Sequence, residues 1–256
     1  MLSPAHKRVV VPAVALACAL VVWELACRSS LVPAFLLPAP TQVVSALIDD
    51  AALIASHSLT TLAEAAAGLA IGVALGFAAA VLMDRFELFR LAVMPLATIS
   101  QTIPTVAIAP LLVLWLGYGL LPKIVLIALT TFFPVTISLA SGLASVDPDQ
   151  IDLLRTMGAT EAQIFRRAKL PAAAGELFSG LRIAAAYAIV GAVIAEWLGG
   201  YSGLGVYMTR VRKSFAYDRM FASIIVISSL TLALMRAVDA IERVALPWKQ
   251  KERKTR

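Results

Sequence analysis

Four stretches of this chain run for roughly twenty residues or more with at most one charge apiece: Val9 to Cys27, Leu59 to Met83, Leu91 to Leu116 and Ile124 to Ala144. A helix of about 20 apolar residues is what crosses the ~30 Å hydrocarbon core of a bilayer. Two further stretches are interrupted: Leu177 to Leu198 holds Arg182 and Glu196, and Phe221 to Ala240 holds Arg236 and Asp239. Charges near a span's end can reach the interface on their own side-chain stems, so both count as spans. The expected fold class is an all-α polytopic membrane protein with about six transmembrane helices. With 60% hydrophobic and only 15% charged residues, the chain cannot hide its apolar side chains inside a water-soluble globule.

A net charge of +6 would suggest nucleic acid in a soluble protein. In a membrane protein the same excess marks the cytoplasmic side. With the N-terminus inside, fifteen Lys and Arg residues fall on the cytoplasmic side and six on the other, with Arg236 within a span. Both termini are therefore expected in the cytoplasm, and no nucleic-acid partner is expected. Arg210, Arg212 and Lys213, placed outside by this count, run against the rule. Lys7 and Arg8 precede an apolar run that is long for a signal peptide, and no small-residue cleavage site follows it. It is read as an uncleaved helix. The organisation expected is a first helix with an external segment over 1–58, a core of five spans over 59–245, and a basic tail over 246–256.

Within the spans a few residues stand out. Pro95, Pro104 and Pro110 fall in one stretch with Gln101, Thr102 and Thr105, which makes that helix either a packing kink or a pathway wall. Gly68, Gly72 and Gly76 form a small-xxx-small seam for a close helix neighbour, from this chain or a second copy. Glu24, Glu64 and Glu196 are carboxylates at or near membrane depth. Glu196, beside Trp197 near the outer end of its span, reads as interfacial, and Glu64 is the stronger pathway candidate. The pathway candidates are thus Glu64, Gln101, Thr102, Pro104 and Thr105. Cys18 and Cys27 are too far apart along a helix to bridge, and His6 and His57 make no metal cluster.

The loop over 146–176 carries the most local information. Asp147-Pro148 reads as a helix cap with proline in the first turn, and that helix should stop at Gly158. Thr160 then caps a second helix, with Gln163 closing a capping box, and Leu170-Pro171 is expected to end it. Ile164 and Phe165 give this second helix an apolar patch, while Arg166, Arg167 and Lys169 keep it on the cytoplasmic face. The residues alone leave two readings, a helix lying on headgroups or a docking surface.

Aligned on its glycine and its Leu-Pro, the loop resembles the EAA motif, EAA-x3-G-x9-I-x-LP, of binding-protein-dependent ABC importer permeases. Here it reads Asp152-Leu153-Leu154, three residues, Gly158, nine residues, Ala168, one residue and Leu170-Pro171. Leu153, Leu154 and Ala168 depart from the pattern. Phe35 to Thr41, Ile103-Pro104 through Gly119, Ala195-Glu196-Trp197 and Ser202-Gly203-Leu204-Gly205 are similar to the nitrate, sulfonate and taurine subgroup. Val106 to Leu111, Lys123, Phe132-Phe133-Pro134 and the stretch from Lys213 to Ala222 look nearest to permeases for the pyrimidine precursor of thiamine.

The resemblance implies a type I ABC importer permease architecture in the bacterial cytoplasmic membrane. Two permease copies would form the pathway, two ATP-binding subunits would sit below, and a soluble binding protein would deliver a small polar solute. Asp152, Gly158, Ala159, Thr160, Glu161, Ile164, Phe165, Leu170 and Pro171 would form the ATPase-coupling region, with the coupling helix around Gly158 to Phe165. ATP and Mg are expected on the partner, because this chain has no Gly-x4-Gly-Lys-Ser/Thr loop and no Gly-Lys pair. This would be a transport subunit with no catalytic residue and no cofactor or metal of its own. The rival is an ion-coupled secondary transporter, which should show an inverted repeat with paired broken helices, and only one proline-broken span is visible. An intramembrane enzyme would need a nucleophile or metal set that Glu196 and His57 do not supply.

Overall fold

The computed structural model describes residues 4–29 and 36–247. Phe35 and the tail 248–256, with Lys249, Lys251, Arg253, Lys254 and Arg256, lie outside the described residues. The described residues form helices and no strand: α1 (Pro4–Arg28), α2 (Pro40–Asp49), α3 (Ala51–Arg85), α4 (Glu87–Ser100), α5 (Thr105–Leu116), α6 (Leu120–Ala144), α7 (Pro148–Thr156), α8 (Glu161–Ile164), a π-helical turn (Phe165–Lys169), α9 (Leu170–Gly199), α10 (Leu204–Lys213) and α11 (Tyr217–Ala245). Among them α1, α3, α6, α11 and the unbroken rod Glu161–Gly199 are long and apolar enough to cross a bilayer. The pair α4 and α5 makes a sixth candidate, bent by 103°.

Three helices make the core. Gly68, Gly72 and Gly76 of α3 lie directly on α6: a Cβ at Gly72 would stand 2.7 Å from the Ala128 carbonyl oxygen, and one at Gly76 2.8 Å from that of Phe132. The glycine seam therefore joins two helices of this one chain. Its register also fixes direction. Gly68 meets Ile127, Gly72 meets Thr131 and Gly76 meets Val135, so α3 and α6 run parallel. Parallel neighbours need a return crossing between them, and the bent pair α4–α5 supplies it. On the other side of α6, α9 runs antiparallel, with Gly142 against Ala173 and Gly180 against Pro134. Ala65, Ile127, Ala188, Ile189 and Ala192 fill the space among the three helices.

Two local expectations need correction. The stretch 91–116 is not a single kinked helix. Pro95 and Pro110 sit inside α4 and α5, but the chain breaks at Pro104, which caps α5 with extended backbone. Pro104 has no N–H to give and drives Ile103 out of the helical region. The polar residues beside it then satisfy the carbonyls of α4: the Ser100 hydroxyl donates to Ala97 O at 2.8 Å and the Thr102 hydroxyl to Ile99 O at 2.7 Å. Nor does Leu170-Pro171 end a helix. The π turn shifts the ladder by one residue, with the Leu170 N–H donating to Phe165 O, and the rod continues into α9. Pro171 falls two residues past the π turn, inside the continuous rod.

Candidate functional site

The break in α4–α5 faces α6 and α9 across a cavity of about 440 Å³. Ser100, Gln101, Ile103 and Thr105 line it from the break, Thr130, Phe133 and Pro134 from α6, and Tyr187, Val190 and Gly191 from α9. It lies near the middle of α6, at about half the depth of the bundle. Gln101 and Thr105 are thus brought together at the cavity wall. Thr102 is not, since its hydroxyl is turned back onto α4. Pro104 forms the corner without lining the space.

Glu64 lies elsewhere. Its carboxylate pairs with the Lys123 ammonium at 2.6 Å, with both side chains 6% exposed, and its second oxygen is buried without a partner. A few residues along the same face of α3, His57 and Thr61 reach the start of α10. There three successive backbone N–H groups each find a side-chain acceptor: Gly203 donates to His57 Nδ1 at 2.9 Å, Leu204 to Thr61 Oγ1 at 2.9 Å and Gly205 to Glu196 Oε2 at 2.6 Å. The Thr61 hydroxyl in turn donates to Glu196 Oε1 at 2.7 Å. These are the donors a helix N-terminus leaves without intrahelical partners, and here they are bound inside the protein. Glu196 is therefore not interfacial as expected: it is 2% exposed, while Trp197 next to it is 45% exposed. Glu24 is the interfacial carboxylate, paired with Arg28 and accepting from the Thr41 N–H and hydroxyl at the start of α2.

At the opposite end of the bundle the loop between α6 and α9 is ordered by its caps. The Asp147 carboxylate accepts from Asp149 N at 3.0 Å, and the Thr160–Gln163 capping box forms. Gly158 takes φ +82°, the left-handed conformation the turn between α7 and α8 requires. The Arg155 guanidinium bridges Asp152 at 3.1 Å and Glu161 at 2.9 Å. This pairing holds the Glu161 carboxyl below its ordinary pKa and pushes the Arg155 guanidinium up. Ala159 is half-buried at the turn, and Leu170 and Pro171 are half-buried at the start of α9.

Ile164 and Phe165 do not form an exposed patch. Ile164 is 1% exposed, and Phe165 packs on the cluster of Ala80, Leu139, Leu143 and Ala173. The apolar side chains that do stand out are Leu153 and Met157, 61% and 74% exposed, at and just beyond the end of α7. Beside them Asp84, Arg90, Asp152, Arg155 and Lys169 line a groove of about 470 Å³, across which Lys169 pairs with Asp84 at 2.8 Å.

Sequence reasoning missed Tyr187, Thr130 and Phe133 at the cavity and Lys123 as the partner of Glu64. The His57, Thr61, Glu64 spacing was a usable sign, since those positions share a helix face. Nothing local marks Tyr187, whose place depends on which face of α9 meets the break. No group of three or more metal-ligating side chains occurs among the described residues.

Five long apolar helices and one broken pair, with a cavity at mid-depth beside the break, define a polytopic membrane protein whose irregular backbone lines an internal space. The chain belongs to the family of binding-protein-dependent transport system inner membrane components, whose profile matches residues 72–245. It is 39% identical over 234 residues to the formylaminopyrimidine transport permease of Halalkalibacterium halodurans, covering 91% of this chain and 93% of that one. It is 31% identical to the riboflavin transport system permease of Chloroflexus aurantiacus (90% and 86% covered) and 29% identical to the taurine transport system permease of Escherichia coli (96% and 92% covered). These relatives are of the nitrate, sulfonate and taurine type. Two solved structures share the fold: the methionine ABC transporter in an inward-facing conformation, with TM-score 0.61, 22% identity and 72% and 92% covered, and an amino acid ABC transporter, with TM-score 0.61, 18% identity and 78% and 96% covered.

Proposed function

We propose that this permease is driven by a separate ATP-binding subunit docked on α7, and takes its solute from a soluble binding protein on the opposite face. A second copy of the chain would complete the pathway. ATP and Mg would be held by the docked subunit. Six crossings, with the bent pair counted as one, would put both termini on one face, and the Lys/Arg excess would make that face the cytoplasmic side of a bacterial inner membrane. The solute is small and polar, with the pyrimidine precursor of thiamine favoured over a sulfonate, taurine or nitrate.

The observation that carries the reading is where α7 sits in the chain. The loop that presents Leu153 and Met157 joins α6 to the α8–α9 rod, and those two helices form two walls of the cavity. A push on α7 would be delivered through the 145–147 link to α6, and through the Gly158 turn to the rod. Closure of the ATP-binding subunits would thus move both walls against the α4–α5 break and shift the bundle between its two facing states. Asp152, Glu161 and Arg155 would keep the two short helices in one piece under that load.

The test is co-purification of the tagged chain from native membranes in mild detergent. An ATP-binding subunit is expected with the wild type. It should be lost with Leu153→Asp, Met157→Asp or Gly158→Arg, each of which should insert normally. A chain that comes down alone would overturn the reading in favour of ion-coupled transport.

A further inference from the structure

The cavity at the break has a chemical character that narrows what can occupy it. None of its lining residues carries a formal charge, although charged side chains are dense at the cytoplasmic groove, with Asp84, Arg90, Arg155 and Lys169, and at the far end of α10, with Arg210 and Lys213. An anion placed at this depth would leave water without a compensating cation, which is among the costliest transfers a protein can impose. The polar groups present are of mixed sense. The Ser100 and Thr130 hydroxyls spend their protons on Ala97 O and Ile127 O, at 2.8 and 2.9 Å, and keep lone pairs to accept with. The Gln101 amide makes only a 3.5 Å contact to Ala97 O, and the Thr105 and Tyr187 hydroxyls have no hydrogen-bond partner among the described residues. Donors and acceptors are therefore both free around the cavity, and Phe133 of α6 and Tyr187 of α9 add aromatic rings to its lining.

Resting on the permease reading above, we propose that this cavity binds a neutral, flat, hydrogen-bonding heterocycle and excludes inorganic and sulfonate anions, with Gln101, Thr105 and Tyr187 as its specificity-determining groups. The ring would lie against Phe133 and Tyr187, and its amide-like or aminopyrimidine-like edge would meet the Gln101 amide and the Thr105 hydroxyl. The volume of about 440 Å³ lies within the ~300–1,000 Å³ range of small-molecule sites. The two ends of the broken helix suit such an edge. The carbonyl end of α4 and the amide end of α5 meet at Gln101 to Thr105, so opposite partial charges sit side by side instead of one sign prevailing.

The experiment is saturation-transfer NMR on the permease with its ATP-binding subunit in nanodiscs, without binding protein, so that binding by the cavity itself is read. Formylaminopyrimidine, taurine, methanesulfonate and nitrate serve as probes at millimolar concentration. Transfer to the pyrimidine is expected, and methanesulfonate and nitrate should not compete it away. Gln101→Leu and Thr105→Val, both at the partly exposed break, should each weaken pyrimidine binding about tenfold, the equivalent of one lost hydrogen bond. Size-exclusion profiles would establish that the variants remain assembled. Binding of the anions at the same site, pyrimidine binding indifferent to both substitutions, or no binding by any probe would overturn the assignment. The permease reading fails separately, if ATP drives uptake of no solute in proteoliposomes. ATP-driven uptake of an anion through this cavity would leave that reading standing and refute this one.

Discussion

Lys123→Met isolates what the buried ion pair does. Methionine occupies the space of the lysine stem, so the main loss is electrostatic: the Glu64 carboxylate stays at membrane depth, 5% exposed, with neither oxygen paired. Removing one partner of a buried pair costs about 3–5 kcal/mol, whereas replacing both by uncharged groups of similar shape is close to neutral. At ~2–4 °C per kcal/mol for chains of this size, the Lys123→Met chain should melt on the order of 10 °C lower in detergent. Adding Glu64→Gln should recover most of that loss. Thermal denaturation of the wild type, both single variants and the double variant gives the coupling energy, with ATP-dependent uptake measured on the same four proteins. A coupling energy near zero would refute the claim that the pair is structural. Restored stability without restored uptake would show that Glu64 works in transport, which is the role an ion-coupled carrier would require of it.

The remaining expectations follow from contacts of the same kind. Gly72→Leu should fail to give a folded chain by size-exclusion chromatography, because its side chain would meet Thr131 and the Ala128 carbonyl, and backbone cannot step aside as a rotamer can. Glu196→Ala should speed hydrogen exchange at Gly203 to Gly205 and cost about 1–3 kcal/mol, while Glu196→Gln, which keeps an acceptor for the Gly205 N–H, should lose less. Glu161 is held below its ordinary pKa of 4.5 by Arg155, so its contribution to the α7–α8 turn is complete above that value and lost as pH falls through the lowered one. Protection of the turn amides, taken relative to the intrinsic exchange rate at each pH, should therefore be flat from about pH 8 to about pH 5 and fall only below about pH 4, and Glu161→Gln should abolish the fall.

Much of the fold was legible because the strongest signals are local. Apolar run length located the spans, and Asp147, Gly158 and the Thr160–Gln163 box placed the turns of the loop between α6 and α9 to within a residue or two. Failures came where the outcome depends on a neighbour. Glu196 looked interfacial because it lies near the end of a span, yet the chain returns as α10 and buries it against Thr61 and Gly205. The glycine seam announced a close approach, but its partner could be read only from the register of α3 on α6. Three prolines in one stretch signalled a bend. Which of them breaks the helix turned on Ser100 and Thr102 standing ready to satisfy the carbonyls freed beside Pro104.

The same distinction explains why the exposed apolar side chains of this loop are Leu153 and Met157 and not Ile164 and Phe165. Hydrophobic periodicity reports that a face is apolar and is silent on what covers it. Ile164 and Phe165 belong to a rod that runs unbroken into α9, so their apolar face continues the face α9 turns to α3 and α6, and it is covered by this chain. On α7 no such continuation exists. The helix is nine residues long, capped at its start by Asp147, followed at once by the Gly158 turn, and has no buried residue. Leu153 and Met157, four positions apart and on one face, then project from an element that the bundle does not need for its own packing. Joined at both ends to cavity-wall helices and tied to the rod by the Arg155–Glu161 pair, α7 would pass a push from outside to both walls, as the proposed coupling role requires.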